Sequence, residues 1–371
     1  MEKFRTFEDP ATGIMPFMPA KIIVPKNILV RIVRGLLGYA AALIRVPLAA
    51  FALLWLGACT LLVALIPIPP LRRALKRYCD FVGCRLVLFL LGFWWIPAAW
   101  EKKNTVSAKA KAEQGWPPCK DAGAGALLLV NCCSYLDVLY LSFRFSPTFA
   151  AVLRDPKAKY KGNVIPMGLF GALYDVVFVP KQDEARSLKI SDVIAQAKSR
   201  GGGPVCVLPE GVSSCEAVML PFLPPVGGAQ GLETYPWVNG TAPKCYAAVI
   251  RYPFKHFSPC YTAGSVIAHV INLASQVYNT MEVVYVSPRV SQIKPKDQGL
   301  APSDRNAASW ADGLHTAMCA AASTQKRSVR MVVPRCGVTN ESAGEVMSAV
   351  EVKRKFMDAY AGRVPRGSKG G

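Results

Sequence analysis

Asn131, Cys132, Ser134 and Asp137 crowd the end of an apolar run, Ala126 to Val130, and are of types and spacing that can do chemistry. The run has the length and bounds of a buried strand, with Gly125 before it and polar residues after it. The next segment, Ser134 to Phe145, mixes apolar and polar residues at helical spacing. A strand passing into a helix puts Asn131 to Asp137 on the turn, where backbone N–H groups and the helix dipole favour a negative ligand. A second apolar run ends in a similar way, in Pro209-Glu210-Gly211-Val212-Ser213-Ser214. Taken singly, each turn reads as structural: an N-cap serine with an aspartate behind it, and a Pro-Glu-Gly bend.

Taken together and in this order, the two turns resemble the signature blocks of the glycerophospholipid acyltransferase family, which includes the 1-acylglycerol-3-phosphate acyltransferases. The family's first block is Asn-His-x-Ser-x-x-Asp; Asn131, Ser134 and Asp137 match it, and Cys132 occupies the histidine position. The third block, Pro-Glu-Gly-Thr-x-Ser, is matched by Pro209, Glu210, Gly211 and Ser214, with Val212 at the threonine and Ser213 where arginine is usual. The second block, Gly-x-x-Phe-Ile-x-Arg, is similar to Asp175–Lys181, with Asp175 at the glycine and Lys181 at the arginine. Val249-Ile250-Arg251-Tyr252-Pro253 echoes the fourth. A divergent fungal branch of the family also carries Asn-Cys for Asn-His, and it resembles this chain faintly near both ends.

The resemblance implies a membrane-bound enzyme that moves an acyl chain from acyl-CoA to a lysophospholipid, lysophosphatidic acid first among them. Acyl-CoA would be a co-substrate, with no metal and no cofactor. The implied catalytic positions are Cys132 and Asp137, and the implied substrate contacts are Lys181, Glu210, Gly211, Val212, Ser214 and Arg251. Such a transfer needs a base for the acceptor hydroxyl, a hold on its phosphate and donors for the oxyanion. In the family the histidine is the base and the aspartate fixes its tautomer; here Asp137 has no imidazole to orient. Cys132 reads as a thiolate base, as a nucleophile forming a thioester, or as an inert core thiol. An unperturbed thiol titrates near 8.5, burial raises it and a helix N-terminus lowers it. The three histidines, His256, His269 and His315, lie elsewhere in the chain. The other reading is an inactive acyltransferase fold that binds lipid and recruits partners at the endoplasmic reticulum or lipid-droplet surface. The changes at positions 132, 175 and 213 favour it.

These residues need a scaffold. The chain has 371 residues, 52% of them hydrophobic, with a formal net charge of +20 and a mean hydropathy of +0.25. That balance points to an anionic membrane partner. The basic residues flank apolar runs, and no aromatic-basic signature supports nucleic acid. Twelve cysteines without metal-like spacing read as reduced thiols facing the cytosol. Residues 1–45 read as an arm followed by an interfacial helix carrying Arg31, Arg34 and Arg45. Val46 to Leu71 holds 26 residues without a charge and Leu86 to Trp100 another 15, so residues 46–100 are expected to form a membrane-embedded helical hairpin. Basic residues on both sides of the first run favour entry and exit through one leaflet.

Residues 101–125 read as a linker and 126–336 as an α/β domain, a central mixed sheet flanked by helices. Strands are expected at Ala126–Val130, Phe149–Val152, Val176–Val179, Val205–Leu208, Tyr246–Arg251 and Glu282–Val286. Helices are expected at Ser134–Phe145, Pro166–Tyr174, Glu184–Ser199 and Ala307–Ala322. Residues 337–371 read as a terminal helix, lying on the domain or on anionic lipid, followed by a basic tail.

Overall fold

Seven strands form one mixed sheet in the order β1-β7-β6-β2-β5-β3-β4. The structure is a computed structural model that describes residues 7, 15–20, 22–23, 26–100, 122–155, 160, 162–216, 218–226, 243–286, 291, 304–323 and 349–361. Most of the expected arm, linker and basic tail lie outside those residues, as does most of 219–244, a Pro- and Gly-rich stretch that the sequence marks as a long loop. The strands are β1 (Ala98–Trp100), β2 (Leu127–Val130), β3 (Thr148–Val152), β4 (Val164–Met167), β5 (Val205–Val207), β6 (Cys245–Arg251) and β7 (Glu282–Tyr285). The helices are α1 (Ile28–Ala64), α2 (Pro69–Leu90), α3 (Tyr135–Phe145), α4 (Leu169–Phe178), α5 (Ile190–Ser199), α6 (Val266–Ala274), α7 (Asp304–Ser323) and α8 (Ala349–Tyr360).

β6, β2, β5 and β3 run parallel side by side, while β7 and β4 are antiparallel to their inner neighbours. β2, at the centre, is buried along its whole length. Leu128 and Val130 enter a core formed with α1, α2, α3, α4 and α6. Leu127 and Leu129 enter the opposite core, formed with α5 and α7. A strand covered on both faces needs an unbroken apolar run, which is why β2 reads Leu-Leu-Leu-Val rather than alternating. The carboxyl ends of the four parallel strands open on one edge, where ligands bind in sheets of this kind.

Four expectations change. Val176–Val179 closes α4 instead of forming a strand, with Val179 as its C-cap at φ 46°. An apolar run of that length has no periodicity to separate helix from strand. The helix expected over Pro166–Tyr174 starts only at Leu169, after Val164–Met167 pairs with β3 as an edge strand. Glu184–Ser199 divides into a 3-10 turn at Glu184–Arg186 and α5. Finally, α1 runs unbroken through position 45, and the second uncharged run is split between the end of α2, a loop and β1.

α1 lies along the domain. A Cβ on Gly38 would come within 2.6 Å of the Ser275 carbonyl oxygen, and one on Gly83 within 2.8 Å of Leu56, so glycine permits both close approaches. Arg45 Nη1 donates to the carbonyls of Ala274 (3.2 Å) and Gln276 (2.7 Å), and Arg34 bonds the Gln276 side chain. The guanidinium of Arg45 thus meets the negative end of α6. The outer face of α1 stays apolar and exposed, through Leu36, Leu43, Leu54, Leu61 and Leu62.

Candidate functional site

Each turn at the open edge is fixed by side chains from its own neighbourhood. Asn131 leaves β2 and bridges to β6: its Oδ1 accepts from Ile250 N at 2.7 Å and its Nδ2 donates to Ile250 O at 3.0 Å. Ser134 caps α3, and Asp137 completes a capping box. Asp137 Oδ2 accepts from Cys133 N (2.7 Å) and Ser134 N (2.8 Å), while Oδ1 accepts from Tyr252 Oη at 2.5 Å. With both oxygens engaged, Asp137 locks the turn that presents Cys132 and ties it to the end of β6.

Glu210 joins this turn to the one after β5. Its Oε1 accepts from Cys132 N at 2.9 Å; its Oε2 accepts from Leu220 N at 2.8 Å and from Ser214 Oγ at 3.1 Å. Ser214 N returns the link by donating to Cys132 O at 3.0 Å. The two turns therefore meet over one place, and Cys132 is where they touch. Burial pushes the Asp137 and Glu210 carboxyls up to about 7, against the pull of the N–H donors on each. The Cys132 thiol, 1% exposed, is raised well above its ordinary value by burial and by these two carboxylates, with Lys353 opposing.

Beside Cys132 a small pocket is lined by Val152, Arg154, Asp175, Val176, Cys206 and Gly211, among others. Arg154 leaves the end of β3 and is 6% exposed. Its Nε donates to Gly211 O at 2.6 Å and its Nη2 pairs with Asp175. Its Nη1 is buried with no hydrogen-bond partner among the described residues. Asp175, a departure from the family glycine, thus sits against a guanidinium rather than facing the pocket as a bare charge. Its carboxyl is still raised by burial, with Arg154 pulling it down.

The structure brings Cys132, Asp137, Glu210, Gly211 and Ser214 together. Lys181 is exposed, and Arg251 turns to Glu282 (3.0 Å) and to the Ala322 carbonyl (2.8 Å). Gly211 adopts φ +72°, and its N–H is turned back to Leu208 O at 3.0 Å. Val212 is buried with Phe17, Val352 and Phe356. His256 lies on the surface against Ile23, and His269 meets the Tyr135 hydroxyl. His315 Nε2 lies 3.2 Å from the Leu220 carbonyl.

Two residues to which the sequence assigns no site role belong to the cluster. Arg154 has no motif of its own and is found only through β3, which ends two residues before it at the open edge. Lys353 arrives from α8: its Nζ lies 2.6 Å from Ser213 O and 2.5 Å from Ser213 Oγ. A buried ammonium therefore stands against the turn that follows β5.

No protein-family model matches the chain. Lysophospholipid acyltransferase LPEAT1 of Arabidopsis thaliana is 23% identical over 211 residues, 53% of this chain and 48% of that protein. A Schizosaccharomyces pombe protein provisionally named a lysophosphatidic acid:oleoyl-CoA acyltransferase is 29% identical over 226 residues, 60% of this chain and 67% of that one. The chain thus spans about half the length of the plant relative and two thirds of the fungal one. The resemblance to lysophospholipid acyltransferases is borne out by these relatives. A crystal structure of a 1-acyl-sn-glycerophosphate acyltransferase from Thermotoga maritima aligns over 80% of this chain and 99% of its own, at 12% identity and a TM-score of 0.41.

Proposed function

We propose that this chain, similar in sequence to lysophospholipid acyltransferases, transfers an acyl group from acyl-CoA to the free hydroxyl of a lysophospholipid, lysophosphatidic acid first. The observation that carries this is the pocket between Cys132 and the unpartnered Nη1 of Arg154. A buried guanidinium N–H without an acceptor is costly, and a phosphate oxygen is a strong partner for it. With phosphate on Arg154, the acceptor hydroxyl comes to Cys132. There it loses its proton and attacks the thioester carbonyl, and the coenzyme leaves as its thiol. Cys132 is the base of this reading; Asp137, Glu210 and Ser214 hold it in place. Lys181 and Arg251 stand outside this pocket, so Arg154 takes the phosphate contact assigned to them by the family blocks. The oleoyl-CoA in the fungal relative's name supports the donor.

The membrane is where both substrates reside. Among the described residues α1 is the one helix long and apolar enough to cross a bilayer. It keeps contact with the domain at Gly38, Arg45 and Gly57, which suits a helix lying within one leaflet. Its exposed leucines continue into Phe170 of α4, whose ring would lie 3.5 Å from a Cβ on Gly57. An apolar surface of this extent marks a membrane-contacting face. The ten described cysteines are free thiols, as suits a domain on the cytosolic side of the endoplasmic reticulum or a lipid droplet.

A second reading rests on the same thiol. Held protonated by burial, Cys132 leaves a pocket that binds lysophospholipid without transferring to it, and the protein serves as a lipid-binding recruiter. Purified protein in phosphatidylcholine vesicles, given labelled acyl-CoA and lysophosphatidic acid, separates the two. Labelled phosphatidic acid is the expected product. Lipid binding without product leaves the recruiter; neither binding nor product ends both.

A further inference from the structure

α8 reaches the site from the far end of the chain, and its placement is held on three sides. Val352 and Phe356 enter a core with Phe17, Val179, Val212 and Leu220. Arg354 donates to Val179 O (3.2 Å) and Pro180 O (2.8 Å), closing the C-terminal end of α4. Lys353 points inward, 1% exposed, with its ammonium 5.7 Å from the centre of the Phe17 ring and bonded to both oxygens of Ser213. An exposed helix face would leave such a lysine free in water; here the only hydrogen bonds it makes among the described residues are to one turn.

That turn leads directly to Cys132. The Ser213 carbonyl that accepts from Lys353 belongs to the same peptide group as the Ser214 N–H, and that N–H donates to Cys132 O. A cation on the carbonyl polarises the peptide and strengthens its N–H as a donor. We infer that Lys353 is a positioning residue of the pocket, acting on Cys132 through the Ser213–Ser214 peptide and supplying the positive charge that faces its thiol. The word positioning rests on the acyl-transfer reading above; the physical coupling between Lys353 and Cys132 does not.

The charged groups around the pair are few. Lys353 faces Cys132, Arg154, Glu210 and Cys133, and Cys132 faces Asp137, Glu210, Lys353 and Cys133. Both carboxylates raise the thiol, so Lys353 is the group among these that favours the thiolate. Burial lowers the lysine itself to about 7, and its two acceptors on Ser213 favour the charged form.

The test compares the purified full chain with Lys353→Met, which keeps the aliphatic stem in its apolar surroundings and removes the charge. Peptide mass spectrometry follows alkylation of Cys132 by iodoacetamide across pH 6 to 10 in the folded protein, alongside the thermal midpoint. Lys353→Met is expected to stay folded and to slow alkylation of Cys132 about tenfold at pH 6, where the ammonium is charged, with the two profiles converging above pH 8 as the lysine of the unaltered protein loses its proton. In the transfer assay kcat is expected to fall by at least about tenfold while KM for lysophosphatidic acid stays within about threefold. If Lys353→Met does not fold, Lys353→Gln, which keeps a donor to Ser213 without the charge, is read in its place. A merely structural lysine would loosen the turn and speed alkylation equally at every pH; that result, or an unchanged profile, overturns the inference. A shifted profile in a protein that transfers nothing keeps the inference and ends the acyl-transfer reading.

Discussion

Cys132→Ala is expected to transfer no acyl chain, and Cys132→His to transfer faster than the unaltered protein at neutral pH. Both results follow from placing the base at position 132. The thiol is pushed up by burial and by Asp137 and Glu210, so only a small fraction is thiolate at pH 7. A base must be deprotonated to act, and the rate of the unaltered protein therefore climbs about tenfold per pH unit through neutrality. An imidazole titrates near 6.5, so the histidine variant levels off around neutrality instead. Initial rates of both proteins across pH 6 to 9 check this. A flat profile for the unaltered protein removes Cys132 as the base.

Glu210→Ala separates the two turns. The carboxylate accepts from Cys132 N, Leu220 N and Ser214 Oγ, all buried. Its loss leaves two backbone N–H groups without an acceptor, at about 1–3 kcal/mol each, so about 2–6 kcal/mol of stability is expected to disappear with activity. The pH dependence has a definite sign. Burial raises the folded carboxyl to about 7, above its unfolded value, so the folded state holds the proton more tightly. The stabilisation from this group is complete below the unfolded pKa and is lost as pH rises through about 7. Glu210→Gln removes that contribution. Denaturant midpoints from pH 4 to 8 should therefore fall less steeply in Glu210→Gln than in the unaltered protein; identical slopes would place the Glu210 carboxyl in its ordinary range.

The first turn was legible because several local signals agree there. An uninterrupted Leu-Leu-Leu-Val run marked a strand covered on both faces, and Ser134 with Asp137 marked the helix start. Glu210 was legible for a similar reason, at the end of a short apolar strand. Joining them needed the sheet order, since β2 and β5 are neighbours although residues 131–204 separate their ends. The element at 169–178 was not legible as a helix at its C-terminal half, because Val176–Val179 is apolar on every side and three of its four residues are β-branched valines. The phosphate contacts were read from Lys181 and Arg251 by their place in the family blocks. In three dimensions Lys181 meets solvent and Arg251 is spent on Glu282 and the end of α7. The buried cations nearby, Arg154 in the pocket lining and Lys353 on Ser213, come from a strand end and a distant helix, and only tertiary contacts reveal them.

The proposed contact of Arg154 with the lipid phosphate is where fold, pocket and chemistry converge. The most direct measurement compares Arg154→Leu with the unaltered protein on lysophosphatidic acid and on a monoacylglycerol, which lacks the phosphate. The account predicts that KM for lysophosphatidic acid rises at least about tenfold in Arg154→Leu while kinetics on the monoacylglycerol stay unchanged. Equal losses on both acceptors, or an unaltered preference for lysophosphatidic acid in a folded variant, would contradict it.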